Sequence, residues 1–488
     1  MIKEQLKRLF KGSLIYGVGT ILNRFLSFLL LPLFTQYLQP GDYGIMAMLA
    51  VLNMVLLGVF TLGTGNSMGI CYFETEDKND RGQIVWTTFV LLLLSAGILL
   101  LAGSFFAAPL SKILLKTEAY SYLVLISLAG LGVNMVTMPL YSFLRMEEKA
   151  KTFVSLTTVY TVLSLGLSVY AVAYLQRGVK GFLEAGLVSG IIVLIITLIM
   201  VLPALKISLN LKWIPKLVRI GYPSIFGVGA FFVIDWVDRL MIQRMVGMEE
   251  LGIYSIGYTF GMVMIIFAEG AFGSAWPPYF LSFSNKREEA IILFGKIFKY
   301  SLFFYGTLVL LFFMLARPLV SLLTTAPFHS AYTVVGLIAA AYMIKVLYLL
   351  VLPGFYYHQK FYLQAAIEWG AAIINIGLNF LLVPRFQKEG AAMATLLAYL
   401  SLLLLAYLIG QKLMRVKYDW PTMGKFAALL VITAVILSGH FTGSILINSS
   451  INGSFFIAYC FIVYFCILTQ NERGFIMEKV RAICRRTS

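Results

Sequence analysis

Cysteine and histidine are scarce in this 488-residue chain, four of the first and three of the second. Cys71, Cys460, Cys466 and Cys484 show no CxxC or His-paired spacing, and His329, His358 and His440 are scattered, so neither a disulfide framework nor a metal site is expected. Charge is scarce as well, at 12% of residues, and long polar stretches are missing. No connecting loop could hold a separate catalytic domain, which argues against a membrane glycosyltransferase or ligase. Acids are the rarer sign, 22 against 38 Lys and Arg, for a net charge of +16. The basic residues alternate with apolar runs rather than gathering on one polar face, so no nucleic-acid partner is expected. No small-residue cleavage site follows the basic N-terminus, so no secretory signal peptide is expected.

What is abundant is hydrocarbon. With 60% hydrophobic residues and a mean hydropathy of +0.88, the chain cannot cover a soluble surface and reads as an all-α integral membrane protein whose surroundings include membrane lipids. Apolar runs of about 20 residues predict fourteen transmembrane helices. Residues 1–11 form an amphipathic interfacial helix, 12–205 hold spans one to six, 206–219 are a cytoplasmic linker, 220–410 hold spans seven to twelve, 411–470 hold the last two, and 471–488 are a basic tail. Counted on alternate sides of this map, Lys and Arg number 27 against 8, with three inside spans. The excess marks the cytoplasmic side and places both termini there, in a cytoplasmic (inner) membrane.

Three loops repeat. "PGDYGI" at 40–45 returns as "MEELGI" at 248–253, "GFLEAGL" at 181–187 as "GAAMATL" at 390–396, and "KTF" at Lys151 as "KFY" at Lys360, with offsets of 208, 209 and 209. Each repeat holds six spans, an even number, so the two enter the membrane in the same orientation. Parallel repeats of this kind build transporters with a central cavity and alternating access.

The stretches "SLIYGVGTILNRFLSFLLLPLFTQYLQPGDYGI" (13–45), "LRMEEKAKTF" (144–153), "DRLMIQRMVGMEELGIYSIGY" (238–258), "AWPPYF" (275–280) and "INIGLNFLLVPRFQKEGAAMATLLAY" (374–399) resemble the polysaccharide-biosynthesis, O-antigen (Wzx-type) flippases of the multidrug/oligosaccharidyl-lipid/polysaccharide exporter superfamily. The resemblance covers essentially the whole chain in order. It implies a non-enzymatic transporter that moves a polyprenyl-diphosphate-linked oligosaccharide from the cytoplasmic to the outer leaflet, with no cofactor beyond a proton or sodium ion for coupling. A polysaccharide polymerase and a chain-length regulator are implied as partners. At "GICYFETED" (69–77), where relatives often carry an arginine before the aromatic pair, this chain has Cys71 or its neighbour, and no basic contact is carried over. Peptidoglycan-precursor flippases and organic-cation antiporters of the same superfamily are the alternatives.

Residues that break the hydrocarbon pattern are the site candidates. Arg24 lies about 18 Å along the first span, near the centre of a core about 30 Å thick. Thr20 and Ser27 share its face and Asn23 adjoins it. A guanidinium suits bidentate contact with a diphosphate, and an interhelical ion pair is the competing use. Asp235, Asp238 and Arg239 in the seventh span read equally as a structural pair, an outer latch or a substrate contact, with Asp235 and Arg239 spaced to neutralise each other. Lys345 and Glu368 lie at matched depth on consecutive spans and could pair, statically or as an ion-coupled gate; Glu269 is a further coupling candidate. Asn375 and Asn379 continue the Glu368 face, placed to bond between helices or to meet sugar hydroxyls.

Overall fold

Gln39 and Asp42 open the second span. The Gln39 N–H donates to Asp42 Oδ2 at 2.9 Å, completing a reciprocal capping box in front of Pro40, the first helical residue. The computed structural model describes residues 17, 19, 21–23, 25–265, 276–283, 286–439, 444–470, 472–474 and 478. The expected interfacial helix at 1–11, Thr20, Arg24, Glu269 and most of the tail lie outside the described residues.

Among the described residues regular structure is helical, with no strand. Helix α1 (Leu31–Tyr37) ends the first span, and α2 (Pro40–Phe60) and α3 (Thr64–Glu74) share the second. Helices α4 (Lys78–Leu115), α5 (Ser121–Met146), α6 (Ala150–Val169) and α7 (Gly178–Val201) follow. Beyond the linker come α8 (Trp213–Met245), α9 (Met248–Gly261), α10 (Trp276–Leu281), α11 (Arg287–Leu323) and α12 (Tyr332–Leu350). The last four are α13 (Pro353–Tyr357), α14 (Phe361–Leu413), α15 (Trp420–Ser438) and α16 (Ile445–Ile462).

Ten helical segments among the described residues are long and apolar enough to cross a bilayer, and the chain is a multi-pass membrane protein. The count of fourteen is not reproduced as such. One reason is α14, whose 53 residues would run about 80 Å if straight. It breaks instead at Gln387 (φ 48°, ψ −125°), just beyond Pro384, so the apolar runs at 361–384 and 390–410, which read as two spans, are two arms of one segment.

The second span also ends differently from expectation. Apolar run length carries its helix from Tyr43 to Asn66; it breaks earlier, at Leu62 (φ 53°) and Gly63 (φ 67°), and resumes as α3. Glycine permits both the left-handed turn and a close approach there, because a Cβ on Gly63 would collide with the backbone of Gly221 on α8. Helix α3 packs on α8 and joins a core built from Met68, Phe89, Leu140, Phe143 and Leu217.

Described residues within 1–256, 322–328 and 375–391 form one compact unit, and those within 257–321, 329–374 and 392–488 a second. The first runs past the lobe boundary expected at 205–220 because the start of α8 is locked to α3. Inside it, the repeated junctions meet each other. A side chain on Gly44 would strike the Met248 carbonyl, and one on Gly252 would strike the Pro40 carbonyl. Residues 40 and 44 are thus matched against 248 and 252 with the self-complementary form of a two-fold contact, here internal to one chain.

In the second unit, Lys299 on α11 bonds Glu472 at 2.7 Å and Asp419 at 3.4 Å, and Phe303 stacks on Phe426 with centroids 4.3 Å apart. These contacts fasten α15 and the segment after α16 to α11. Burial tends to raise the Glu472 pKa, but Lys299, the Thr469 N–H and the Tyr300 hydroxyl together outweigh it and hold the carboxyl at about 2.

Candidate functional site

Helix α5 carries polar residues on one face: Ser127, Asn134, Thr137, Tyr141 and Arg145 recur at intervals of three, four or seven. That face borders a cavity of about 660 Å³, within the size range of small-molecule sites. From Ser127 to Arg145 the face runs about 27 Å, nearly the thickness of a bilayer core. Asn53 on α2, Tyr160 and Ser164 on α6, and Trp236 on α8 complete the polar lining, with leucines, valines and methionines between them. Two glycines on the wall, Gly130 and Gly186, face open space, since an added Cβ would meet nothing within 4 Å.

The lining is polar but nearly neutral. Asn53 donates to Ser127 Oγ at 2.9 Å, while its Oδ1 is buried with no hydrogen-bond partner, an acceptor left over for a ligand or water. Arg145 is the one charged residue among the described lining residues; none of them is acidic. Its guanidinium is held by Ser142 Oγ at 3.1 Å and stands 5.6 Å from the Phe153 ring centre, and the residue stays exposed. A fixed, open cation at one end of an amide- and hydroxyl-lined furrow can hold an anion while neutral polar groups meet what is attached to it.

Of the residues singled out in the sequence, Asn23 reaches α6, donating to Thr157 Oγ1 at 3.4 Å, between the lining residues Phe153 and Tyr160. Ser27 is exposed and donates to the Asn23 carbonyl at 3.1 Å. Asp238 and Arg239 form a buried ion pair at 3.0 Å. Tyr254 donates its hydroxyl to Asp238, and the Asp235 carbonyl accepts from Arg239 at 2.5 Å. An i, i+4 spacing favours the Asp235 side chain as the partner of Arg239; the neighbouring Asp238 takes the ion pair, and Asp235 offers Arg239 its carbonyl. The Arg239 guanidinium stacks 4.5 Å from the Trp236 ring centre, so this network backs directly onto the cavity wall.

Glu368 is buried and accepts from Tyr348 at 2.6 Å and Gln364 at 3.0 Å, while the Lys345 ammonium lies 5.4 Å from the Tyr342 ring centre and 5.6 Å from that of Tyr399. Tyrosines therefore attend both groups. Asn375 and Asn379 are fully buried, and Asn379 donates to the Asn375 carbonyl at 2.9 Å and to its Oδ1 at 3.1 Å. Asn375 Nδ2 and Asn379 Oδ1 are buried without a hydrogen-bond partner, and neither residue is among those lining the cavity.

Sequence reasoning missed Arg145, Asn53, Asn134 and Trp236. Apolar run length ends the fourth span at Leu144, which leaves Arg145 among the loop charges, whereas α5 continues to Met146. The two asparagines carried a signal, an amide inside an apolar run, that attention to full charges passed over.

Residues 9–284 match the family described as polysaccharide biosynthesis protein. The chain belongs to that family. Among curated relatives, Lsg locus putative protein 1 of Haemophilus influenzae is 24% identical over 305 residues, covering 61% of this chain and 71% of that protein. Among solved structures, a lipid II flippase MurJ in an inward closed conformation aligns with a TM-score of 0.70 at 15% identity, over 92% of this chain and all but 1% of the other. An inward-facing multidrug-resistance MATE transporter of the MOP superfamily aligns at 0.63 and 11% identity, over 82% of this chain and 94% of that one. The fold is thus the one these solved flippases and transporters share, and the family places this membrane protein in polysaccharide biosynthesis.

Proposed function

We propose that the protein flips a polyprenyl-diphosphate-linked oligosaccharide from the cytoplasmic to the outer leaflet by alternating access, using the α5 cavity to hold the head of the substrate. The observation that carries this reading is the charge of the cavity: one exposed cation, Arg145, and no carboxylate among the described lining residues. An organic cation would meet repulsion there, whereas a diphosphate meets a guanidinium and its sugars meet Asn53, Asn134 and Tyr141. Arg24, proposed from the sequence, would supply a second cation for the same group. A peptidoglycan precursor carries the same diphosphate, and the family match favours the polysaccharide substrate over it.

Coupling is assigned to a proton or sodium gradient, with Glu368 and the Asp238–Tyr254–Arg239 network as the groups that respond to it. Both are buried carboxylates held by tyrosine hydroxyls, which loss or gain of a charge would release.

The deciding experiment is flux of a short-chain polyprenyl-diphosphate disaccharide in proteoliposomes. Losing a charged hydrogen-bond donor to the diphosphate removes about 1.5–3 kcal/mol, so Arg145→Ala should slow flux about 10- to 100-fold and Arg145→Lys should recover part of it. Gly130→Leu should insert bulk into open space, leave folding intact and block flux. Wild-type flux in both Arg145→Ala and Gly130→Leu would remove the cavity from the transport path.

A further inference from the structure

The segment joining α7 to α8 is not a slack tether. Its backbone is pressed against the start of α4 at Gly82, where an added Cβ would stand 2.7 Å from the Lys206 nitrogen. Asn210 then pins it a second time, its N–H donating to Thr87 Oγ1 at 3.2 Å and its Nδ2 to Gln83 Oε1 at 3.1 Å. Between these points exposure alternates. Ile207, at a turn closed by the Ser208 N–H and the Lys206 carbonyl, is 62% exposed, Leu209 49% and Leu211 65%, while Ser208 and Asn210 are half-buried. Leu205, just before the segment, is buried.

This is amphipathicity turned inside out. A strand over an aqueous surface turns its polar side chains outward and buries the apolar ones. Here the polar partners of Asn210 are underneath and the apolar row faces away from the protein, the pattern of a chain whose outer medium is lipid. Depth agrees, because the uncharged apolar run of α4 begins at Ile84, between the two Asn210 partners Gln83 and Thr87. Charge agrees as well: Lys206, Lys212, Lys216 and Arg219 lie in or beside the segment, and no acid occurs from 205 until Asp235. Lys206, Lys212 and Arg219 are exposed, and Lys216 is tied to Glu74.

We propose that residues 205–213 form a strap seated in the inner leaflet, with Ile207, Leu209 and Leu211 entering the acyl boundary and Lys206, Lys212 and Arg219 meeting anionic headgroups. The occupant of this surface is the anionic lipid of the cytoplasmic leaflet, which attracts basic segments beside the membrane. The strap fixes the start of α8 at a set depth on the cytoplasmic side. This inference is independent of the substrate: it concerns the surface outside α4, not the cavity lined by α5.

Spin labels placed singly at 206–212, in full-length protein whose Cys460, Cys466 and Cys484 are serine, test it in nanodiscs holding one copy. In discs containing phosphatidylglycerol, labels at 207, 209 and 211 should be relaxed severalfold more by oxygen than by an aqueous nickel chelate, with 208 and 210 shielded from both. Preferential relaxation of 207, 209 and 211 by nickel would put the row in water and overturn the proposal. Shielding of these positions from both reagents would mean that protein covers them, and would overturn it equally. In phosphatidylcholine discs the oxygen preference should fall, and the triple variant Lys206→Gln, Lys212→Gln, Arg219→Gln should lose the difference between the two lipids; a difference that survives would exclude the headgroup contacts.

Discussion

Asp238 shows what one buried carboxylate must do to survive inside a membrane helix. With no exposed surface, it satisfies itself from three directions: the Arg239 side chain, the Arg239 N–H at 2.7 Å and the Tyr254 hydroxyl. Breaking a buried pair by removing one partner typically costs about 3–5 kcal/mol, because the other charge is left uncompensated. Asp238→Ala should therefore lower the thermal unfolding midpoint in detergent well below that of Tyr254→Phe, which removes one donor only. For Glu368 the expectation is functional: Glu368→Gln keeps the shape and the Tyr348 contact but cannot ionise, so flux should lose its dependence on whichever gradient drives the wild type. Retained dependence in the glutamine variant would move coupling elsewhere. The sequence disclosed these acids because an ionisable residue in hydrocarbon stands out by type. It misassigned the partner of Arg239 because helical spacing ranks i, i+4 neighbours, while a short aspartate next to the arginine reached its guanidinium first.

Helices show a different balance between what could be read and what could not. Their existence and order were legible from apolar run length, since a bilayer imposes a minimum on each span. Their breaks were not. The turn at Leu62 and Gly63 and the bend at Gln387 depend on what packs beside them, Gly221 in the first case, and no local periodicity reports a neighbour from elsewhere in the chain. The cavity was hidden for the same reason, because its described lining comes from five helices and Arg145, the one cation among those residues, lies a residue beyond the apolar run of its span. Two glycine classes now separate by element. Gly44→Val should force α2 away from α9, at the cost of about 1–3 kcal/mol or more that overpacking brings. Gly186→Val, on the open wall formed by α7, should leave the unfolding free energy within about 0.5 kcal/mol of wild type, as substitutions away from packed contacts do. Equal destabilisation by the two would contradict the geometry.

At the scale of the whole molecule, the family was legible from a global quantity, the order of motifs along the chain. How the last spans are attached was not, because Lys299 reaches Asp419 and Glu472 across 120 and 173 residues of sequence. That attachment has a defined pH response. Glu472 is held at about 2 when folded, below its ordinary value of about 4.3, so its contribution is present above about pH 4.3 and is lost as pH falls toward 2. The Asp419 pKa is also lowered; burial tends to raise it, and the Thr422 and Lys299 contacts outweigh burial. Hydrogen exchange in the segment after α16 should be unchanged between pH 7 and 5, after correction for intrinsic rates, and should rise below about pH 4. Glu472→Gln should show the faster exchange already at pH 7.

The crossing of Gly44 and Gly252 has a further consequence for how this gene can change. Each glycine abuts the other repeat's main-chain carbonyl, at Met248 and at Pro40, and a carbonyl is the same whichever amino acid carries it. A larger residue at either glycine therefore has no compensating exchange at the position it strikes. In a selection for regained export starting from Gly44→Val, revertants should restore glycine or alter distant positions that let α2 or α9 shift, and substitutions at residue 248 should be absent among them.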